Sequence, residues 1–226
     1  AAETMRRGGG IGYDFSKVRP KGTQIKSLDS QASGPISFMS IFDAVCQTIS
    51  SSGHRRGAQM GVLRVDHPDI VEFIMAKRNS DKLTGFNISV GITDKFMEAL
   101  NKEDDSFNLI FDGIVYETVS AKSIWDQVME STWDWAEPGV LFVDRIQEMN
   151  NLYYCEDISA TNPCGEQPLP PYGACLLGSF NLTQYLSGES DNYTFNFEQF
   201  KDDIPHVVRA QDNVVDRTIY PLREQE

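Results

Sequence analysis

TNPCGEQPLPPYGACLLGSFNL, residues 161–182, is the stretch on which the reading of this chain turns. Pro163 and Gly165 flank a cysteine and disfavour helix, so residues 162–166 are expected to form an extended loop tip. In an extended chain, side chains at i, i+2 and i+4 point the same way. Asn162, Cys164 and Glu166 would then present an amide, a thiol and a carboxylate on one face. A nearby carboxylate disfavours a thiolate. The set therefore suits a cysteine that loses a hydrogen atom better than one that attacks as an anion. It also leaves Glu166 free as a general base toward a hydroxyl. Composition alone equally allows a structural loop. A second cysteine, Cys175, follows in ACLLGSFNL (174–182), which is apolar and strand-like.

Outward from this stretch, hydrophobic periodicity alternates between short strands and helices. Residues 156–173 hold four prolines and two glycines and read as irregular loop. Upstream, GGGIGYDF (8–15) is a glycine-rich entry into a strand, and residues 16–35 form a polar loop. Pro35 opens a helix carrying Ile36, Met39, Ile41, Phe42, Val45 and Ile49 toward Gly53. GAQMGVLRV (57–65) is a strand, and Asp66 and Pro68 start a helix with Ile70, Val71, Phe73 and Ile74 as its apolar side. After a charged loop at 77–85 come a strand over 86–92 and a helix over 94–102 capped by Thr93. A hairpin over 107–119 turns at Asp112-Gly113. A helix over 122–136 carries Ile124, Trp125, Val128, Met129 and Trp133, and a short strand covers 141–143. The last helix spans 197–217 with Val207, Val208, Val214 and Val215 inward. Strand–helix alternation predicts an α/β fold with largely parallel strands.

Composition narrows the function classes. The chain has 226 residues, is 40% hydrophobic and carries a net charge of -13. That is enough apolar surface for a core, and too acidic for a nucleic-acid coat. The charge is uneven: residues 1–82 hold 12 Lys+Arg against 8 Asp+Glu, and residues 83–226 hold 8 against 25. A locally positive first third suits a phosphorylated small molecule, and the acidic remainder suits a solvated surface. No apolar run of about 18 residues spans a membrane, and no signal-peptide pattern opens the chain. Cys46, Cys155, Cys164 and Cys175 form no C-x-x-C pair, and no metal site is expected. Unpaired cysteines in a chain without an export signal suit a reducing, cytoplasmic compartment. Cys46 sits among apolar helix residues and reads as a core cysteine; Cys155 also reads as structural.

Weaker motifs stay open. The GGGIG run fits no G-x-G-x-x-G frame and precedes no G-K-[ST], which excludes Rossmann and P-loop fingerprints. It is either a structural turn or a place where main chain approaches a ligand. His54, Arg55 and Arg56 are a solvated turn or an anion site. A cysteine protease is disfavoured, because no papain-like or caspase-like signature surrounds any cysteine.

Residues 161–182 resemble the active-site signature of the ribonucleotide reductase catalytic subunit, and NPCGEQPLPPYG resembles the class II, adenosylcobalamin-dependent form. Further similar stretches run in order: RRGGGIGYDFSKVRPKG (6–22), SGPISFM (33–39), GHRRGAQMG (53–61), HPDIVEFIMAK (67–77) and FNISVGITDKFM (86–97). The resemblance implies part of a ten-stranded α/β barrel, built from two antiparallel halves of parallel strands with a central finger loop. Residues 1–226 would be the first half plus the finger, an internal fragment lacking N-terminal and C-terminal parts. An upstream redox cysteine, a downstream phosphate-binding loop and a C-terminal cysteine pair would lie outside it.

The roles implied by the resemblance are specific. Cys164 would be the thiyl radical site that takes the ribose 3′-hydrogen, Glu166 would take the 3′-hydroxyl proton, and Asn162 would hold the ribose hydroxyls. Cys175 would supply reducing electrons and end in a disulfide, with thioredoxin or glutaredoxin restoring it. Gly9 and Gly10 would lie against the substrate. Residues 19–34 and 77–84 match two specificity loops, so Lys21, Lys26, Lys77, Arg78 and Lys82 would serve a deoxynucleoside triphosphate or ATP effector. The implied activity is reduction of ribonucleotides, as diphosphates, to 2′-deoxyribonucleotides, in a homodimer of the full protein. The alternatives are a class I large subunit served by a separate metal-containing radical subunit, or a non-catalytic nucleotide-binding fragment. The isolated fragment is expected to be inactive.

Overall fold

The computed structural model describes residues 1–25, 29–49, 57–78, 82–189, 191–220 and 222–225. The expectations at Lys26 and at His54, Arg55 and Arg56 lie outside the described residues. The chain divides into two units, Ala1–Pro171 and Tyr172–Glu226.

The first unit opens with α1 (Ala2–Arg6) and β1 (Ile11–Asp14). A small hairpin of β2 (Gln24–Ile25) and β3 (Ser30–Gln31) leads to α2 (Pro35–Ile49). There follow β4 (Gln59–Arg64), α3 (Ile70–Met75), β5 (Phe86–Ile92) and α4 (Asp94–Leu100). The hairpin β6 (Ser106–Phe111) and β7 (Ile114–Ser120) precedes α5 (Ala121–Trp135), β8 (Gly139–Phe142) and α6 (Val143–Glu148). A last hairpin pairs β9 (Ala160–Thr161) with β10 (Pro168–Leu169). β1, β4, β5 and β8 form one parallel sheet in that order, with a helix in every crossover.

Local chemistry explains several boundaries. Thr93 Oγ1 accepts from the Phe96 amide at 3.2 Å and starts α4. Ser120 Oγ accepts from the Ser123 amide at 3.1 Å and starts α5. Asp112 and Gly113 take φ of 50° and 75°, the left-handed pair that a two-residue hairpin turn requires.

Alternation along the strands gives the sheet two different faces. One face carries Phe15, Leu63, Val65, Phe86, Ile88, Val90 and Ile92. It packs on Met39 of α2, Ile70, Phe73 and Ile74 of α3, Phe96 of α4 and Ile124 and Val128 of α5. This is the hydrophobic core, and α2 through α5 cover it. The other face carries Gly10, Gly12, Met60, Val62 and Asn87. Register places Gly12, Met60 and Asn87 in one row across three strands. The β9–β10 hairpin lies over this row. A Cβ on Gly12 would collide with the Thr161 backbone, and one on Gly10 with the Pro163 ring. The glycines are therefore required by close approach of a second chain segment, not by a positive φ.

The second unit is smaller. A 3-10 turn (Leu182–Tyr185), β11 (Leu186–Ser187), β12 (Thr194–Phe195) and α7 (Phe197–Arg217) meet around an aromatic cluster. Phe200 lies 5.1 Å from Phe180 and 5.2 Å from Tyr185 between ring centroids, and Tyr185 donates to Asp203 at 2.9 Å.

Several expectations are corrected. Residues 174–181 form no strand; among the described residues this apolar segment has no partner strand in its unit, and Leu177 is 58% exposed. Residues 156–173 are not wholly irregular, since β9 and β10 lie within them. On α7, Val208, Val214 and Val215 are exposed and Val207 is only half-buried. Val71 is exposed beside its buried neighbours Ile70, Phe73 and Ile74. Trp133 is 89% exposed, because the buried side of α5 runs through Ala121, Ile124, Val128 and Ser131 instead.

Gly12→Ala should lower stability by about 1–3 kcal/mol, the cost of forcing a methyl into backbone. It should also speed amide exchange in the β9–β10 hairpin, as measured by denaturation and hydrogen exchange. Wild-type values on both would show that the hairpin does not need this contact.

Candidate active site

The hairpin is held by its own short-range bonds. Thr161 pairs with Pro168 and Ala160 with Leu169. The Asn162 amide donates to the Gln167 carbonyl at 3.2 Å, and the Gln167 amide donates to Asn162 Oδ1 at 3.0 Å. The Gly165 amide donates to the Asn162 carbonyl at 3.1 Å, which closes a β-turn over residues 162–165. Pro163 supplies the fixed φ after the first turn residue, and Gly165 takes φ 88°. Thr161 Oγ1 adds a bond to the Asn162 carbonyl at 2.9 Å.

This corrects the extended reading of residues 162–166. The alternation rule does not hold through a closed turn. Asn162 is half-buried with its side-chain oxygen turned back on the hairpin, while Cys164 and Glu166 are exposed at the tip. The three residues are still gathered in one turn, and Gly10 lies beneath its Pro163. Gly9 is bonded to the Thr4 carbonyl at 3.0 Å, next to that contact. Cys175 lies in the other unit, exposed and without regular structure.

One anchor was not recognised from the sequence. Asn87 Nδ2 donates to the Pro163 carbonyl at 2.6 Å, from β5 into the cysteine turn. The signal was available: Asn87 is the exposed polar residue at the head of an otherwise buried strand.

The cations of the two loops are engaged. Lys21 pairs with Glu72 of α3 at 3.0 Å, and its amide donates to Asp69 at 2.9 Å. Lys77 pairs with Glu137 at 2.5 Å and donates to the Phe86 carbonyl. Arg78 meets Asp134 at 2.6 Å and Glu130 at 3.0 Å on α5. Lys82 is exposed. These contacts fix loop to helix and strand.

Two further features went unnoticed in the sequence. A polar cavity of about 340 Å³ lies at the carboxyl ends of β1 and β4, lined by Ser16, Lys17, Arg64, Asp66, His67 and Phe111 among others. Arg64 grips Asp66 there through two bonds at 3.1 and 3.0 Å. On the core face, Tyr13 donates to Gln59 at 3.0 Å. Burial, with a smaller contribution from Cys46, pushes its phenol up to about 12. Burial and then Asp43 push the Cys46 thiol up as well, as suits the core cysteine expected. Cys155 is exposed rather than packed, and its sulfur donates to the Leu152 carbonyl at 3.5 Å.

A parallel sheet covered by helices on one face, with a cysteine-bearing turn laid across a glycine-rich strand on the other, defines an α/β domain. The chain belongs to the ribonucleotide reductase barrel-domain family, whose model matches residues 1–226. It is 41% identical over 222 residues to the vitamin B12-dependent ribonucleoside-diphosphate reductase of Thermoplasma acidophilum, covering 97% of this chain and 28% of that protein. It is 39% identical over 229 residues to the enzyme of the same name from Mycobacterium tuberculosis, covering 99% and 32%. A ribonucleoside-diphosphate reductase subunit alpha from Chlamydia pneumoniae is 24% identical over 252 residues, covering 96% and 24%. The chain thus spans less than a third of the length of these relatives.

Exposure predicts the thiol chemistry. An alkylating reagent near neutral pH should modify Cys155, Cys164 and Cys175 and spare Cys46 until the fold is lost, as read by peptide mass mapping; equal labelling of Cys46 would contradict its burial. Tyr13 predicts a pH effect. Its folded-state pKa is raised, so its contribution is complete below the unfolded value near 10 and is lost as pH rises through about 12. Stability should fall across that window, and Tyr13→Phe should flatten the fall in a denaturation series.

Proposed function

We propose that this chain is the first half of the catalytic barrel of an adenosylcobalamin-dependent ribonucleotide reductase, with the β9–β10 hairpin as its finger loop. The single observation that carries the reading is the turn at Asn162–Glu166, seated on the glycine-rich strand with its cysteine and carboxylate exposed. The names of the two most similar relatives quoted above support the cofactor and a diphosphate substrate. The one-sided helix cover supports the barrel: α2 through α5 coat one face of the sheet, and the hairpin occupies the other.

Cys164, as a thiyl radical, removes the 3′-hydrogen of the ribose. Glu166 accepts the 3′-hydroxyl proton, and the 2′-hydroxyl takes a proton from a redox thiol and leaves as water. Asn162 orients the ribose hydroxyls. Two thiols, Cys175 and a cysteine supplied by another part of the protein, give up two electrons and two protons, one proton to the departing hydroxyl and one to the 2′ carbon, and form a disulfide, while Glu166 returns its proton to the 3′ oxygen. Cys164 then returns its hydrogen to the 3′ carbon, and thioredoxin or glutaredoxin reduces the disulfide. Bound adenosylcobalamin supplies the radical that this cycle needs. The exposed thiol of Cys164 fits that encounter, since a buried sulfur could not meet a group outside the chain.

The same reading places Gly9 and Gly10 against substrate, and residues 19–34 and 77–84 near a deoxynucleoside triphosphate or ATP effector. It also takes the working protein as a homodimer in the cytoplasm. An open apolar groove on the outer side of α2, lined by Ile41, Ala44 and Val45 among others, supports a dimer contact. Four unpaired thiols suit a reducing compartment. Among the described residues, no helix is long and apolar enough to cross a membrane.

The test is turnover of ribonucleotide in the complete reductase polypeptide. Cys164→Ser should abolish it, and Cys46→Ser should leave it nearly unchanged. An active Cys164→Ser enzyme would remove the proposed mechanism.

A further inference from the structure

We propose that Asn87 is a positioning residue for the cysteine turn: it fastens Cys164 to the sheet through the Pro163 carbonyl, at 2.6 Å. The inference rests on the reading of Cys164 as the reactive thiol. The hairpin's other bonds are internal to it, running among Thr161, Asn162, Gly165 and Gln167. They set the shape of the turn but not its place over the sheet. Packing over Gly10 and Gly12 limits how close the turn can come. Among the described residues, the Asn87 bond is the side-chain hydrogen bond from the sheet that fixes the turn laterally.

Asn87 is itself held in place. β5 begins three residues before the point where β8 pairs with it, since Ser89 is the first residue matched, to Gly139. Side chains complete the unpaired stretch. Glu137 Oε1 accepts from the Ile88 amide at 3.1 Å, and Lys77 donates to the Phe86 carbonyl. Lys77 and Glu137 then pair with each other at 2.5 Å. Both backbone neighbours of Asn87 are thus clamped, and its side chain points to the face that bears the hairpin. Lys77 is thus joined to the cysteine turn by a short path through the Phe86 carbonyl, Asn87 and the Pro163 carbonyl.

The test uses the complete reductase polypeptide with Asn87→Asp, which keeps the size of the side chain and removes its donor. Asn87 is exposed and outside the core, so the fold should survive. The expected result is a fall in kcat of about tenfold or more with KM for the ribonucleotide nearly unchanged, because the reacting sulfur is misplaced. Hydrogen exchange at the Gly165 and Gln167 amides should quicken, while that of Val90 and Ile92 in β5 stays as in the wild type. Asn87→Ala should do the same if the aspartate variant fails to fold. Wild-type kcat, or a reduced kcat with unchanged exchange in the turn, would overturn the proposal. So would faster exchange across the whole of β5, which would mark a merely structural role. The exchange result stands apart from the function reading: an active Cys164→Ser enzyme would sink that reading even if the anchor were present.

Discussion

The closest constraint in this molecule is steric. The Thr161 backbone crosses Gly12 so tightly that a single methyl has no room, and the Pro163 ring occupies the place of a Gly10 side chain. Main chain against main chain is an unusual contact, because side chains normally keep segments apart. Here it lets a hairpin lie on a strand as if it were a side chain. Other features follow from it. The face of β1 under the hairpin must be glycine, the opposite face must carry the large residues, and Tyr13 and Phe15 do so. The core is therefore on one side of the sheet and the cysteine turn on the other.

Charge is used inside the first unit mainly to fasten elements. Lys21, Lys77 and Arg78 each contact a carboxylate on another element. The exposed Lys21–Glu72 pair contributes little stability, about 0–1 kcal/mol. The Lys77–Glu137 pair is only about one-fifth exposed and sets the spacing of the backbone groups it bridges.

Much of the architecture was legible in the sequence because periodicity and punctuation agreed. The helix from Pro35, the strand 86–92, the Thr93 cap, the Asp112-Gly113 turn and the helix 197–217 all appear where the pattern puts them. Cys164 and its neighbours were legible as a set by composition and resemblance. Their geometry was not. Proline and glycine around a cysteine fit an extended tip and a closed turn equally well, and only the backbone bonds of Asn162 choose the turn. The strand expected at 174–182 failed for the complementary reason: apolar residues do not make a strand without a neighbour to pair with. Asn87 stayed hidden because its partner is a backbone carbonyl 76 residues away.

The Lys77–Glu137 bridge has a consequence for association between molecules. Where β5 runs past the start of β8, it would offer a bare amide and a bare carbonyl, which together invite a foreign strand. Glu137 takes the Ile88 amide and Lys77 takes the Phe86 carbonyl. The notch is filled by charged side chains from the same chain. An incoming strand would have to strip both groups before it could add a single hydrogen bond, so this corner of the sheet is guarded against templated growth.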